Sequence, residues 1–271
     1  MPAEALALAL GAAVIHAVWN LLLAGASDSE ATAAVALPVS ALVCAPLAIA
    51  FWHVEASAWP FVAASSVLEL AYFALLAAAY RRAELSVVYP LARGLAPVLV
   101  LVGVVAFTAA STSAPQVVGV LLVGCGVLLV RGVRRGSGAL FGVAIACCIA
   151  AYTVVDKHGV AHASPVPYLE LITAFTGAAY AGGLVAVRGP RVLRSALGWR
   201  AFVAGLAAFA AYALVLAALR LASAASVAAV RETSVVVAAG LAAVVLKERV
   251  TLWRLGGAVL VAGGVALLSL A

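Results

Sequence analysis

Charge is what this sequence has least of. Aspartate, glutamate, lysine and arginine make up 10% of its 271 residues, against 67% apolar residues, and the mean hydropathy is +1.23. A soluble domain carries about a quarter charged residues, and no soluble core of this size could hide so much apolar surface. Long polar stretches are missing too. The longest, VRGPRVLRSALGWR at 187–200, could hold no soluble domain, so aqueous catalysis has little room and no enzyme activity is expected. No phosphate loop of the form GxxxxGKS or GxxxxGKT occurs, which excludes ATP hydrolysis by that device. The four cysteines, Cys44, Cys125, Cys147 and Cys148, all fall inside apolar runs. They form no CxxC pair, suggest neither a disulfide framework nor a zinc site, and read as small packing residues. His16, His53, His158 and His162 have no metal-ligand spacing, and no cofactor is expected. The N-terminus has no basic region or small-residue cleavage site ahead of its first apolar run, so that run is expected to belong to the mature protein.

What is present in place of charge is a series of apolar runs. A membrane span needs about 20 mostly apolar residues. Ten candidates follow: 4–24, 31–52, 59–80, 85–107, 114–131, 138–156, 165–187, 200–220, 222–246 and 252–270. The expected fold is an all-α membrane protein of ten transmembrane helices. The net charge of +6 does not point to nucleic acid, because the basic residues sit in short clusters between apolar runs, the pattern of membrane loops.

The chain also repeats itself. AYFALLAAAYRRAELSVV (71–88) resembles AYALVLAALRLASAASVA (211–228) at an offset of 140, with Tyr72 opposite Tyr212. VVGVLLVGCGVLLV (117–130) resembles LGGAVLVAGGVALL (255–268) at an offset of 138, with Gly119 and Gly126 opposite Gly257 and Gly264. Two five-helix repeats result, 1–135 and 136–271. An odd number of spans per repeat forces the two into opposite orientations, the inverted repeat of many transporters.

Orientation is read from positive residues. Arg81, Arg82, Arg131, Arg134, Arg135, Arg188, Arg191, Arg194, Arg200, Lys247, Arg249 and Arg254 fall at one face, and only Lys157 and Arg220 at the other. The positive-inside rule then puts both termini outside the cytoplasm.

Four charges lie inside spans. Glu69 is near the middle of the third, and Arg93 is about 12 Å into the fourth at 1.5 Å per residue. Arg231 and Glu232 lie at a similar depth in the ninth. Such residues normally face the bundle interior or a wet cavity. Arg93 stands between Pro90 and Pro97, which lack N–H groups and free the carbonyls of Ser86 and Arg93. Irregular backbone at this depth belongs beside protein or water. Tyr89, Arg93 and Pro97 share one face, expected to line a cavity. The two prolines are expected to gate span four, and span nine, with Val230 and Val237 in their places, to be straighter. The offset of 140 puts Thr233 opposite Arg93, inside VRETS (230–234).

Adjacent helical residues do not face each other, so Arg231 and Glu232 are expected to pair with other helices, with Glu69 a plausible partner for one arginine. A structural ion-pair network is the plainer reading of the same charges. In span one, His16, Trp19 and Asn20 share a face. His16 is read equally as a site residue or as a core histidine bonded to a backbone carbonyl, Trp19 as a site residue or simple packing, and Asn20 as bonding across helices. Tyr72 and Tyr212 stand out because both repeats carry them. Asp156 and Lys157 read as a solvated pair at a span end.

At HAVWN (16–20), YPLARGLAP (89–97), VRETSVVVAAGLAAVVLKERVT (230–251) and the glycine-rich fifth helix of each half, the sequence resembles the drug/metabolite transporter superfamily, specifically an EamA-type ten-helix transporter. Such repeats usually end their fourth helix in a glycine–glutamate pair. The second half keeps Glu248, while the first has FTAAST (107–112) and departs from the pattern. The resemblance implies inverted repeats around a central cavity, and alternating-access movement of a small metabolite. It also implies cytoplasmic termini, against the charge count. The expected function is secondary transport, most simply export, of a small organic metabolite such as an amino acid or another carboxylate-bearing compound across the plasma (inner) membrane. Proton coupling through Glu69 or Glu232 is one option. The partners are that substrate and the lipid bilayer, with no nucleic acid, in a monomer or homodimer. A membrane-embedded lipid-handling protein and a non-transporting scaffold or receptor are the alternatives.

Overall fold

The computed structural model describes residues 1–107, 112–132, 137–245 and 251–270. The sequence-read loop with Lys247, Glu248 and Arg249, the centre of FTAAST, and Arg134 with Arg135 lie outside them. The described chain is helical throughout: α1 Ala3–Ala24, α2 Ser29–Ala50, α3 Trp59–Arg82, α4 Leu85–Phe107, α5 Ala114–Arg131, α6 Ala139–Gly159, α7 Pro165–Arg188, α8 Arg191–Ala196, α9 Trp199–Leu221, α10 Ala224–Arg231, α11 Thr233–Val245 and α12 Leu252–Leu270.

Among the described residues nine segments are long and apolar enough to cross a membrane, and Ala114–Val130 adds a shorter apolar helix. In lipid every backbone polar group must be satisfied internally, and helices do this within one segment. Starts are marked as expected of capped helices. Asp28 and Ser113 accept from the backbone N–H of Ala31 and Gln116 at 3.0 and 3.3 Å, and proline opens α3, α5 and α7. Large apolar side chains such as Leu42, Ile49, Leu140 and Val187 remain exposed; they form the lipid-facing surface.

Two features depart from the sequence reading. A short helix, α8, occupies part of the polar 187–200 stretch and tucks Val192 against Ala31, Ala34 and Leu184. The ninth span, and not the fourth, is divided. α4 runs unbroken through Pro90 and Pro97, and the interruption falls between α10 and α11, at Glu232.

The helices pair α1 with α9, α3 with α6, α2 with α7, and α5 with α12. Exchanging the two halves turns the first pair into the second and returns the other two to themselves. Close contacts follow the same rule. A Cβ on Gly126 would stand 2.7 Å from the Gly257 carbonyl oxygen, and one on Gly257 2.6 Å from that of Gly126. Gly119 and Gly264 meet in the same way, at 2.9 and 2.7 Å. These glycines are required for close approach of backbone to backbone. Gly119 meets the counterpart of Gly126, so α5 and α12 cross antiparallel.

Both chain ends lie at one face, where the Met1 amine donates to the Ser269 carbonyl at 3.4 Å. At this terminal face the α2–α3 and α6–α7 connections are clasped. Glu55 N–H donates to the His162 carbonyl at 3.0 Å and Ser164 N–H to that of His53 at 2.8 Å. The His162 ring lies 3.1 Å from Glu55, and this contact, then the Ser57 hydroxyl, holds the Glu55 carboxyl below its ordinary value.

Candidate functional site

A cavity of about 320 Å³ occupies the middle of the bundle. Its lining reaches the arginine-rich face at Leu23, Ser29, Glu30 and Tyr80, and among the described residues includes none from the terminal-face connections. Ion pairs frame that mouth: Arg81 with Glu30 at 2.8 Å, and Arg188 with Asp28 at 2.6 Å and Glu30 at 3.2 Å. Burial works against the Asp28 charge, yet the Arg188 hydrogen bond and the Ala31 N–H together hold its carboxyl below the ordinary value.

The deep wall carries the intramembrane charges. Arg93 of α4 donates to Glu232 at 3.2 Å, with the glutamate side chain wholly inaccessible. The two positions are 139 apart, within the range of the repeat offset, so equivalent places in the two halves meet face to face. Arg231 Nε lies 3.9 Å from the same Glu232 oxygen. At Glu232 the helix bonding tightens to i→i−3, Glu232 N–H donating to the Ala229 carbonyl and Val235 N–H to that of Glu232, both at 3.0 Å; Arg231 and Glu232 are both buried at this step. One carboxylate thus serves two buried guanidiniums. Arg93 Nε, Arg231 Nε and Nη2, and Glu232 Oε2 have no hydrogen-bond partner among the described residues.

His16 meets Arg93 through Nε2, which accepts from the Arg93 Nη2. Its Nδ1 accepts from the Trp19 indole at 3.1 Å. The ring thus meets side chains at the cavity wall, and neither ring nitrogen is bonded to a backbone carbonyl among the described residues. Guanidinium and indole can only donate, and a neutral imidazole offers one lone pair, so the two compete for it. Asn20 donates to the His16 carbonyl at 2.8 Å and accepts from the Tyr89 hydroxyl at 3.4 Å, a bond across helices. Tyr89 also places its ring 5.9 Å from the Arg93 guanidinium.

Tyr72 and Tyr212 bracket Tyr152 in an edge-to-face row, with centroids 6.4 and 6.0 Å apart. Of the residues singled out from sequence, His16, Trp19, Asn20, Glu69, Tyr72, Tyr89, Arg93, Tyr212 and Arg231 line the cavity. Glu69 takes no ion pair among the described residues; the partner of Arg93 is Glu232 instead. Thr233 is used locally, donating to the Val230 carbonyl at 2.8 Å beside the helix break. Pro90 and Pro97 are interior to α4.

Asp156 overturns its sequence reading. It is 0% exposed and accepts from Tyr168 at 3.0 Å and Tyr212 at 2.5 Å. Lys157 turns away from it and donates to the Leu219 and Ala222 carbonyls at 2.5 and 3.0 Å, covering the open end of α9. Tyr168 was missed, while the spacing of Cys148, Tyr152 and Asp156 by four on one face of α6 is legible in the sequence.

A helical protein of this many spans, with its few internal charges gathered on one central cavity, belongs to the class of polytopic membrane proteins that handle small molecules. Residues 136–270 match the EamA-like transporter family, and the chain belongs to that family: it is a multi-pass integral membrane transporter of small molecules. One similar solved structure, titled "Crystal structure of protein", superposes with a TM-score of 0.80 at 18% identity, covering 100% of this chain and 98% of that one; at that identity the likeness is one of fold. A search of curated proteins gave no match.

Proposed function

We propose that the protein is a secondary transporter that exports a small carboxylate-bearing metabolite, an amino acid or a related acid, across the plasma (inner) membrane by alternating access. One observation carries the reading. Two buried guanidiniums share a single carboxylate, and Arg93 Nε with Arg231 Nε and Nη2 have no hydrogen-bond partner among the described residues. A substrate carboxylate supplies the missing acceptor, in the charge-assisted geometry that arginine favours. The aromatic row of Tyr72, Tyr152 and Tyr212 gives the organic part a surface to rest on, and a cavity of about 320 Å³ suits a small metabolite.

The repeats 1–135 and 136–271 are the moving halves. Support for their inversion comes from the antiparallel meeting of the equivalent helices α5 and α12. Pro90 and Pro97 leave two gaps in the α4 ladder and, with the break at Glu232, supply the bending that gating needs.

The test compares metabolites released by cells expressing the protein, the Arg93→Ala variant, or neither. The expected result is one or a few acids accumulating outside only with the intact protein. Wild-type release from the Arg93→Ala variant would remove the arginine from the site, and an unchanged metabolite profile in all three would remove export.

A further inference from the structure

The carboxylate of Asp156 has no task in the reading above. It lies one turn before the end of α6, wholly buried, below the clasped terminal face. Tyr168 brings α7 to one of its oxygens and Tyr212 brings α9 to the other. Among the described residues no lysine, arginine or histidine pairs with it. The titratable and charged groups that face it are Glu69 from α3, Tyr168 from α7, Tyr212 from α9, Arg231 from α10, and Tyr152 on α6 itself. A buried charge held only by neutral donors is poised to be neutralised. Tyr212 also lines the cavity, so a single phenol separates the carboxylate from the space open at the arginine-rich face.

We propose that Asp156 is the proton-binding site of the transport cycle, and that its protonation releases the terminal face. Ionised, it accepts from both phenols and ties α7 and α9 to α6. On taking one proton from the cavity through the Tyr212 hydroxyl, one oxygen becomes a donor, and the charge that strengthened both bonds is gone. The helices part, and the proton leaves at the terminal face; no other bond is made or broken. This inference rests on the transporter reading and moves the proton from Glu69 or Glu232 to Asp156.

The test uses the full chain with its four cysteines replaced by alanine and spin labels introduced at Ala161 and Leu221, both exposed at the terminal face. Glu55→Gln, His53→Gln, His158→Gln and His162→Gln are added to remove the exposed acid and histidines of that face, since exposed histidines themselves titrate between about pH 5 and pH 8. The separation is measured in lipid across that range. The expected result is a longer separation that grows in as pH falls. Asp156→Asn, which mimics the protonated carboxyl, shows it at every pH. Tyr212→Phe removes one donor and shifts the population the same way. A separation that ignores pH, an Asp156→Asn variant that keeps the wild-type response, or an unmoved Tyr212→Phe variant overturns the proposal. The distance measurement involves no substrate, so the proton site can fail while metabolite export by cells still stands, and the reverse.

Discussion

At the scale of single residues, Arg93 has two jobs that can be separated. It neutralises Glu232, and its guanidinium lines the cavity. Removing it leaves the buried Glu232 carboxylate with Arg231 alone, at 3.9 Å, so the loss falls toward the lower end of the range of about 3–5 kcal/mol that breaking a buried pair costs. Arg93→Ala is therefore expected to melt early and to accumulate poorly. Adding Glu232→Gln removes that carboxylate but leaves the buried Arg231 without its ion pair, so the melting temperature and membrane level should be restored only in part. Transport should not return, because the anion donors are still missing. Thermal melts and export measured on the single and double variants decide this. A double variant that exports at the wild-type rate would make the pair a structural tie between the halves and nothing more. Arg231→Ala is the counterpart. Arg231 is linked to Glu232 only at 3.9 Å, so it should cost less stability than Arg93→Ala while reducing export at least tenfold.

At the scale of helices, the glycines of α5 and α12 decide how close the halves come. A methyl group on Gly126 would stand 2.7 Å from a backbone oxygen of α12. No rotamer relieves a clash with backbone, so the helices must separate, and overpacking of this kind costs about 1–3 kcal/mol. Gly126→Ala should lower the melting temperature. Gly182→Ala, with nothing within 4 Å of its added Cβ, should leave it unchanged or slightly raised, since alanine is the better helix former. Equal melts for both would deny the α5–α12 contact its role. The ten apolar runs were legible because span length and loop charge are composition-level signals. The break at Glu232 was not. Proline is a local signal for a kink, and it pointed to α4. The actual interruption, a step of i→i−3 bonding at Glu232, falls where no proline or glycine marks it, and helix propensity does not encode it. Asp156 was misread for the same kind of reason. Its neighbour Lys157 implied a solvated pair, but the partners that bury it, Tyr168 and Tyr212, come from two later helices.

At the scale of the whole molecule, orientation and access are one question. The cavity lining reaches the arginine-rich face, and both termini lie at the other. Whichever side holds the arginines therefore also holds the open mouth. Lys157, one of the two basic residues at the terminal face, donates to the Leu219 and Ala222 carbonyls and keeps its charge, so Lys157 and Arg220 are what the count sets against the opposite face. At that opposite face, Arg81 and Arg188 are paired with Glu30 and Asp28, but acidic residues contribute little to the positive-inside rule, so the bias stands. The expectation is termini outside the cytoplasm and a cavity open to the cytoplasm, the state in which an exporter loads. Fusing the C-terminus to a fluorescent protein that matures only in the cytoplasm, and separately to a phosphatase active only outside it, tests both statements at once. Phosphatase activity with a dark fluorescent fusion is the expected outcome. A bright fluorescent fusion would put the termini inside, as the family resemblance implies, and would turn the same cavity into the outward-facing state of the cycle.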